Sequence, residues 1–516
     1  MSGLDVKATY DLPRNATESS NQLLRDSFVQ LDEAEQLRQK GKLDHAQSIC
    51  EALLRRYPDY FGALHTLGLI YADKRNYRRA LDCLVHAAML DPGSWTTLTV
   101  LSSVYLRLNA KEMAAKILEQ ANLIKPNDAN VLVTLGEIYR EEQEYEVARD
   151  TFSRAVELDP NLLPAAMGLG SSYSSLGQHA EAAQVFEGII KRGAPLFDAL
   201  DGLANLPASF VSIDLLSQLD KVIRDEGRDK AEFDNHVAFI RAAALDHAGR
   251  HEEAWKLIGP ANGMMFRTMQ ADWTSLSGQR RVNLEALQAL PVAQNRAEAA
   301  EQPVSLFILG PSRSGKTTVE KLVAILEGVK RGYENPSVEN ATRRAFQRSG
   351  LLTGNWLEQL PSHLYPLCRT IYVEELARRA SAAKVFTNTH PLRICDAAVM
   401  ARIFPNVRFI LVKRNIQDNV LRIYMRRYRS DNAYAYNIRT IHEHINWYHQ
   451  MIDLLAQKFP DIVRVIQYED VIADPAAALR MVAALCGLPM TEKPLPVPGD
   501  DRDCSEPYRE FMKALL

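Results

Sequence analysis

Over roughly the first two hundred residues apolar side chains fall at helical spacing, and the same slots return with a longer period. Pro58, Pro92, Pro126 and Pro160 lie 34 residues apart. Each closes a helix-like segment, because proline lacks an amide donor and pushes the residue before it out of the α region. Counted back from these prolines, one unit offers Leu64, Leu67, Gly68, Tyr71, Ala80, Leu84 and Ala87, and another offers Leu132, Leu135, Gly136, Tyr139, Ala148, Phe152 and Ala155. Units through Leu101, Ser102, Tyr105, Ala114, Leu118 and Ala121, and through Leu169, Gly170, Tyr173, Ala182 and Phe186, fill the same slots. A first unit runs through Ala34, Ala46 and Leu53. The pattern predicts five stacked pairs of antiparallel helices, with small residues where helices approach and large ones filling the seam.

The register breaks after about residue 195, and a degenerate helical unit returns around Ala242, Gly249, Ala254 and Pro260. A polar stretch rich in Ala, Glu and Gln follows at 290–303. Beyond it, short runs rich in Val, Ile and Phe at 304–309, 384–386, 407–412 and 463–467 read as strands. They alternate with helical segments, as in a parallel sheet with crossover helices. The fold expected is an N-terminal α-solenoid followed by a P-loop-like α/β domain with a central parallel sheet. Its parts are a tail at 1–26, repeats at 27–195, a degenerate helical repeat and linker at 196–300, and the α/β domain at 301–516.

The first strand runs into Gly310, Pro311, Ser312, Arg313, Ser314, Gly315, Lys316, Thr317 and Thr318, and a helical pattern follows. A glycine-bearing turn at a helix N-terminus aims amide N–H groups and the positive end of the helix dipole at an anion, and Arg313 and Lys316 add full charges. A phosphate or phosphosulfate belongs there. The string is formally a Walker A pattern, which first suggests an ATP- or GTP-dependent kinase. That chemistry asks for Mg²⁺ and an acid closing a neighbouring strand, whereas the strand ends carry Asn388, Lys413 and Arg414.

Composition narrows the reading further. The 516 residues are 47% hydrophobic and 24% charged with a net charge of −3, an ordinary globular balance that argues against generic nucleic-acid binding. The six cysteines show no CxxC pair and no metal-ligand spacing, so buried thiols in a reducing compartment and no metal are expected. The N-terminus carries neither a basic nor an apolar leader pattern, and no apolar run approaches the roughly 18 residues of a membrane span. The expected location is cytoplasmic.

The 34-residue units resemble the tetratricopeptide-repeat family, which implies a concave face for a protein or peptide partner, or for a second copy in a homo-oligomer. Residues 303–320, with Arg313, Ser314 and Gly315 directly after the strand, resemble the 5′-phosphosulfate loop of sulfotransferases. Residues 404–424 resemble their 3′-phosphate segment, and Tyr468, Glu469 and Asp470 resemble their closing segment. Together the chain resembles bacterial tetratricopeptide-repeat sulfotransferases. The resemblance implies that 3′-phosphoadenosine 5′-phosphosulfate is the co-substrate. By that resemblance Arg313, Ser314, Gly315, Lys316 and Thr317 would hold its 5′-phosphosulfate and Arg414 its 3′-phosphate; Thr318 and Tyr468 are further candidates for the donor, and Arg422, with Arg426 one turn on along the same helix face, would add to the cationic cluster. Lys316 stands where the family usually has Thr, and Arg422 where it usually has Ser; both changes add positive charge.

Sulfuryl transfer needs cations at the departing phosphate and one base at the acceptor. Lys316 and Arg313 are placed for the first task. For the second, Glu334 matches a glutamate of the tyrosylprotein-type and repeat-bearing enzymes, and His390 resembles the Thr-His element of cytosolic ones. The acceptor is not legible. Tyr333, Trp356, Tyr365, Tyr372 and the aromatic and histidine residues of 431–449 read as core first and as pocket lining second. A non-catalytic scaffold with a degenerate P-loop domain stays open as an alternative.

Overall fold

The computed structural model describes residues 18–193, 197–225, 230–292, 303–350, 357–380, 382–428, 432–495, 500 and 502–513. Trp356, Arg429 and Asp431 lie outside them. The chain divides into two compact units, one of Met1–Tyr139 with Val147–Gly168, the other of Arg140–Glu146 with Leu169–Leu516.

The first unit is built from helix pairs. Glu18–Gln39 pairs with Leu43–Arg56, Phe61–Asp73 with Tyr77–Leu90, and Trp95–Arg107 with Lys111–Ile124; Ala129–Glu141 and Tyr145–Leu158 continue the series. The proline signal works as the sequence suggested. Tyr57, Asp91 and Lys125, each just before a proline, sit near φ −134, −133 and −130 with ψ close to 85, outside the helical region. The glycine slots have a packing reason. A Cβ on Gly68 would lie 2.6 Å from Leu84, and one on Gly136 would lie 2.8 Å from Phe152.

In the second unit, helices His179–Lys191, Phe197–Ala204, Leu215–Asp225 and Lys230–His247 lead to a 39-residue helix, His251–Ala289. Pro260, expected to mark the edge of a degenerate unit, lies inside this helix. One lost backbone hydrogen bond is outweighed there because Ala254, Ile258 and Ala261 are buried and Asn262 Nδ2 donates to Tyr424 O at 2.9 Å. The segment read as repeat and linker therefore shares a core with the α/β part. Phe239, Ala242, Leu245 and Ile258 pack with Val420, Ile423, Tyr436 and Ile441.

Five parallel strands follow: β1 Val304–Leu309, β2 Val329–Lys330, β3 Val385–Asn388, β4 Val407–Lys413 and β5 Val463–Gln467, ordered β2-β3-β1-β4-β5. β1 is buried on both faces, which explains the apolar run of Leu306, Phe307, Ile308 and Leu309. Leu306 and Ile308 meet Val319 and Leu322 on one side, while Phe307 and Leu309 meet Phe409 and Met400 on the other.

Among the described residues no helix is long and apolar enough to cross a membrane.

Candidate functional site

The helix after β1, Lys316–Val323, covers one face of the sheet, and the helix after β3, Arg393–Ile403, covers the opposite face. Chain paths diverging at neighbouring strand ends leave a crevice at the carboxyl edge, the usual ligand position in open α/β sheets. The loop 310–315 forms its floor.

That loop is held by close approaches only glycine permits. A Cβ on Gly310 would fall 2.6 Å from Val412 O, and one on Gly315, at φ +95, would fall 2.2 Å from Tyr468 Cδ2. Arg313 also takes a left-handed conformation, φ 63, and its side chain is exposed. Ser314 is fully buried, and its Oγ has no hydrogen-bond partner. Lys316 is buried, with Nζ donating to Pro311 O at 3.2 Å. Burial pulls its ammonium down to about 8, Glu334 opposes that shift, and Arg313 adds to it. Thr317 and Thr318 open the helix, the first exposed and the second half-buried.

Glu334 is fixed through its neighbours. Glu320, fully buried on the loop helix, accepts from Tyr333 N at 3.0 Å, from Thr387 Oγ1 at 2.5 Å, and from Arg331 Nε and Nη2 at 3.2 and 3.1 Å. Thr389 N donates to Tyr333 O at 2.7 Å, and Asn388 Nδ2 donates to Asn335 O at 2.9 Å. The segment is thus stitched to the end of β3, with Tyr333 at φ 53. The Glu334 carboxylate itself is exposed and has no hydrogen bond or ion pair among the described residues. It stands in a crowded cleft still open to water. This crowding raises its pKa, while Lys316 pulls the other way.

His390 is arranged differently. Its Nδ1 accepts from Leu392 N at 3.3 Å, so the neutral ring carries its proton on Nε2, which points toward Glu339 Oε1 at 3.7 Å. Burial, with Arg393 and Lys316 nearby, lowers its pKa to about 3. Glu339 was missed in the sequence because nothing distinguishes it there from a helix-start acid. Burial raises its pKa too, and Arg393 Nη2 lies 3.3 Å from its Oε1.

On the other flank, Arg414 follows β4. It is buried, donates through Nη1 to Arg313 O at 3.1 Å and lies 4.5 Å over the Tyr468 ring. Arg422 is on helix Ile416–Tyr424, half-buried. Arg426, expected one turn on along the same helix face, lies past the helix end, where it donates to Asn205. Arg313, Arg422 and Arg426 still converge. Burial lowers the Arg426 guanidinium to about 9, and Arg313 and Arg422 lower it further, although part of its surface is open. Asp418 and Asn419, which carry no sequence motif, shape this flank. Asp418 accepts from Asp503 N and Ser505 N, both at 2.9 Å, and Asn419 Nδ2 donates to Ser312 O at 2.6 Å.

The aromatic candidates sort as core was expected to. Tyr372 stacks on Phe404 at 3.9 Å, and Tyr434, Tyr436 and Tyr448 are buried; Tyr365 and Trp447 are half-buried. No group of three or more His, Cys, Asp or Glu among the described residues could hold a metal ion.

A glycine-bearing loop at the carboxyl edge of a five-stranded parallel sheet, with arginines beside it, occupies the position where open α/β sheets take their ligands. The sulfotransferase family profile matches residues 303–492, and tetratricopeptide-repeat profiles match 61–94 and 129–162. The chain carries a sulfotransferase-family domain behind tetratricopeptide repeats. It is 21% identical over 270 residues to an uncharacterized protein of Aquifex aeolicus (strain VF5), covering 50% of this chain and 35% of that protein. The chain therefore spans about a third of the length of that curated relative.

Solved structures similar in part include a tetratricopeptide repeat protein from Parabacteroides merdae, at 19% identity and TM-score 0.36, covering 46% of this chain and 93% of that one. MamA follows at 23% identity and TM-score 0.30, covering 34% of this chain and 91% of that one. YrrB, described as having an unusual peptide-binding site, shows 19% identity and TM-score 0.31, covering 36% of this chain and 92% of that one.

Proposed function

We propose that the chain is a sulfotransferase that moves a sulfuryl group from 3′-phosphoadenosine 5′-phosphosulfate to a hydroxyl or amine, with the repeats recruiting the acceptor or a partner. The observation that carries this is the meeting of Arg313, Lys316, Arg414, Arg422 and Arg426 around one crevice that also holds the unpaired Glu334. The residues fit a doubly phosphorylated donor. Ser314 Oγ is orphaned in the loop, and burial, with Arg313 adding to it, lowers both the Lys316 ammonium and the Arg426 guanidinium, a balance that an anion would reverse.

When bound, the donor supplies the sulfuryl group and leaves as the 3′,5′-bisphosphate. Glu334 takes the proton of the acceptor as the acceptor oxygen or nitrogen bonds to sulfur and the sulfur–phosphate oxygen bond breaks. Lys316 and Arg313 neutralise charge on the departing phosphate. A raised carboxylate pKa strengthens Glu334 as a base.

Calorimetric titration with 3′-phosphoadenosine 5′-phosphate against Mg-ATP tests the reading. The bisphosphate is expected to bind, and Arg414→Ala or the half-buried Arg422→Ala to weaken it at least tenfold. Glu334→Gln should keep that affinity and lose on the order of 10²–10⁴-fold in turnover. Preference for Mg-ATP would favour a kinase, as Lys316 and Thr317 alone suggest; binding of neither would leave a scaffold.

A further inference from the structure

We propose that the crevice takes an anionic acceptor, and that Arg280 and His444 form the subsite for its carboxylate. This rests on the sulfotransferase reading. Arg280 projects from helix His251–Ala289 and is 6% exposed, yet its side chain has no ion pair or hydrogen bond among the described residues. Its Nη1 is buried without a partner. Three rings surround the guanidinium, Trp273 at 4.9 Å, Trp447 at 5.1 Å and Tyr434 at 5.2 Å. Burial lowers its pKa to about 10, and only Tyr434 and Cys395 act against that.

A buried cation without a counter-ion is costly, and aromatic faces replace only part of its lost hydration. A methionine would pack the same space with no such penalty. His444 repeats the anomaly. It is 4% exposed, its Nδ1 has no partner, and its ring centre lies 3.8 Å from that of Tyr434. Burial, Arg280 and Lys316 together keep it neutral.

The box adjoins the reacting centre. Tyr434 donates to Ser312 Oγ of the anion-binding loop at 3.2 Å, and Glu334 is close enough to raise the Tyr434 pKa. Trp273 and Trp447 are half-buried, which leaves that side of the box reachable from solvent. A planar carboxylate matches the guanidinium fork and supplies the missing counter-charge, with the imidazole as a second contact. The acceptor class is then a hydroxyl- or amine-bearing molecule with a carboxylate nearby.

The test is made on the full chain saturated with 3′-phosphoadenosine 5′-phosphate, so the phosphate sites are filled and failure of the donor reading shows first as no bisphosphate binding. Acetate and neutral acetamide are then titrated at constant ionic strength, following tryptophan fluorescence and melting temperature. Acetate is expected to bind at least tenfold more tightly than acetamide. Arg280→Met should abolish that preference, keep bisphosphate affinity and melt no lower than the parent without acetate, whereas Arg280→Lys should keep part of the preference. Equal response to both probes in the parent overturns the subsite. So does an Arg280→Met protein that melts lower and keeps the preference, since it would mark a purely structural arginine.

Discussion

Glu320→Ala tests how the Glu334 segment is held, because the Glu320 carboxylate is fully buried and four donor contacts end on it. Its removal leaves the Tyr333 amide buried and unpaired, worth about 1–3 kcal/mol. It also strips the counter-ion from Arg331, whose side chain is only 13% exposed, and breaking a buried pair costs about 3–5 kcal/mol. The two effects share one cavity, so a total near 4 kcal/mol is expected. Glu320→Gln keeps the shape and an acceptor for Tyr333 N, and should lose about half as much.

Urea unfolding followed by tryptophan fluorescence reads this directly. Trp255, Trp273 and Trp447 lie in the second unit and Trp95 in the first, so a Trp95→Phe background isolates the relevant transition. Turnover should fall with Glu320→Ala by more than stability alone explains, since Tyr333 no longer fixes Glu334. If Glu320→Ala changes stability by less than about 1 kcal/mol, or no more than Glu320→Gln does, the carboxylate is not the anchor described.

Gly315→Ala combines a φ of +95 with a Cβ 2.2 Å from Tyr468, so bisphosphate affinity should drop at least tenfold. Gly41→Ala, at φ +73 with nothing within 4 Å, should cost only about 1–2 kcal/mol of stability; equal behaviour of the two variants would contradict the packing argument. Acid should weaken the second unit. His390 and His449 are lowered to about 3 and about 4, so the unfolded chain binds protons that the folded one refuses. Their stabilisation is complete above about 6.5 and lost as pH falls toward 3, with a slope of about 1.4 kcal/mol per pH unit for each histidine. A urea midpoint that stays flat between pH 6.5 and 4 would refute it.

The repeats were legible because their determinants are local and periodic. Each small residue faces its partner helix within a few dozen positions, as Gly68 faces Leu84, and each proline acts on the residue beside it. The central strands were legible for a related reason, since β1 and β4 are buried on both faces and carry apolar runs at 306–309 and 409–412. β2 has two residues and no pattern, and it passed unnoticed. β3 extends to Asn388, past the reading of 384–386, because its last positions are the polar Thr387, which accepts from Gly332 N and Asn335 Nδ2, and Asn388, which donates to Asn335 O. Helix His251–Ala289 hid behind Pro260, where the usual rule gave way to tertiary packing.

The site divides along the same line. Lys316 and Arg313 could be found because a motif holds them at fixed offsets, and Arg414 because it ends a strand. Glu320 could not, since its partners lie 11, 13 and 67 residues away and come together only when the sheet forms. Arg280 was hidden more deeply, in a helix that looked like a spacer. On the proposed reading the loop at 310–315 would fix where the donor's charge sits, with Arg313 acting against the charge of both Lys316 and Arg426. A second buried cation nearby, with no acid of its own, repeats that design on the acceptor side. If both are completed by ligands, the chain keeps its least compensated charges where its substrates supply the opposite sign, and specificity for anionic acceptors follows from the same electrostatics that hold the donor.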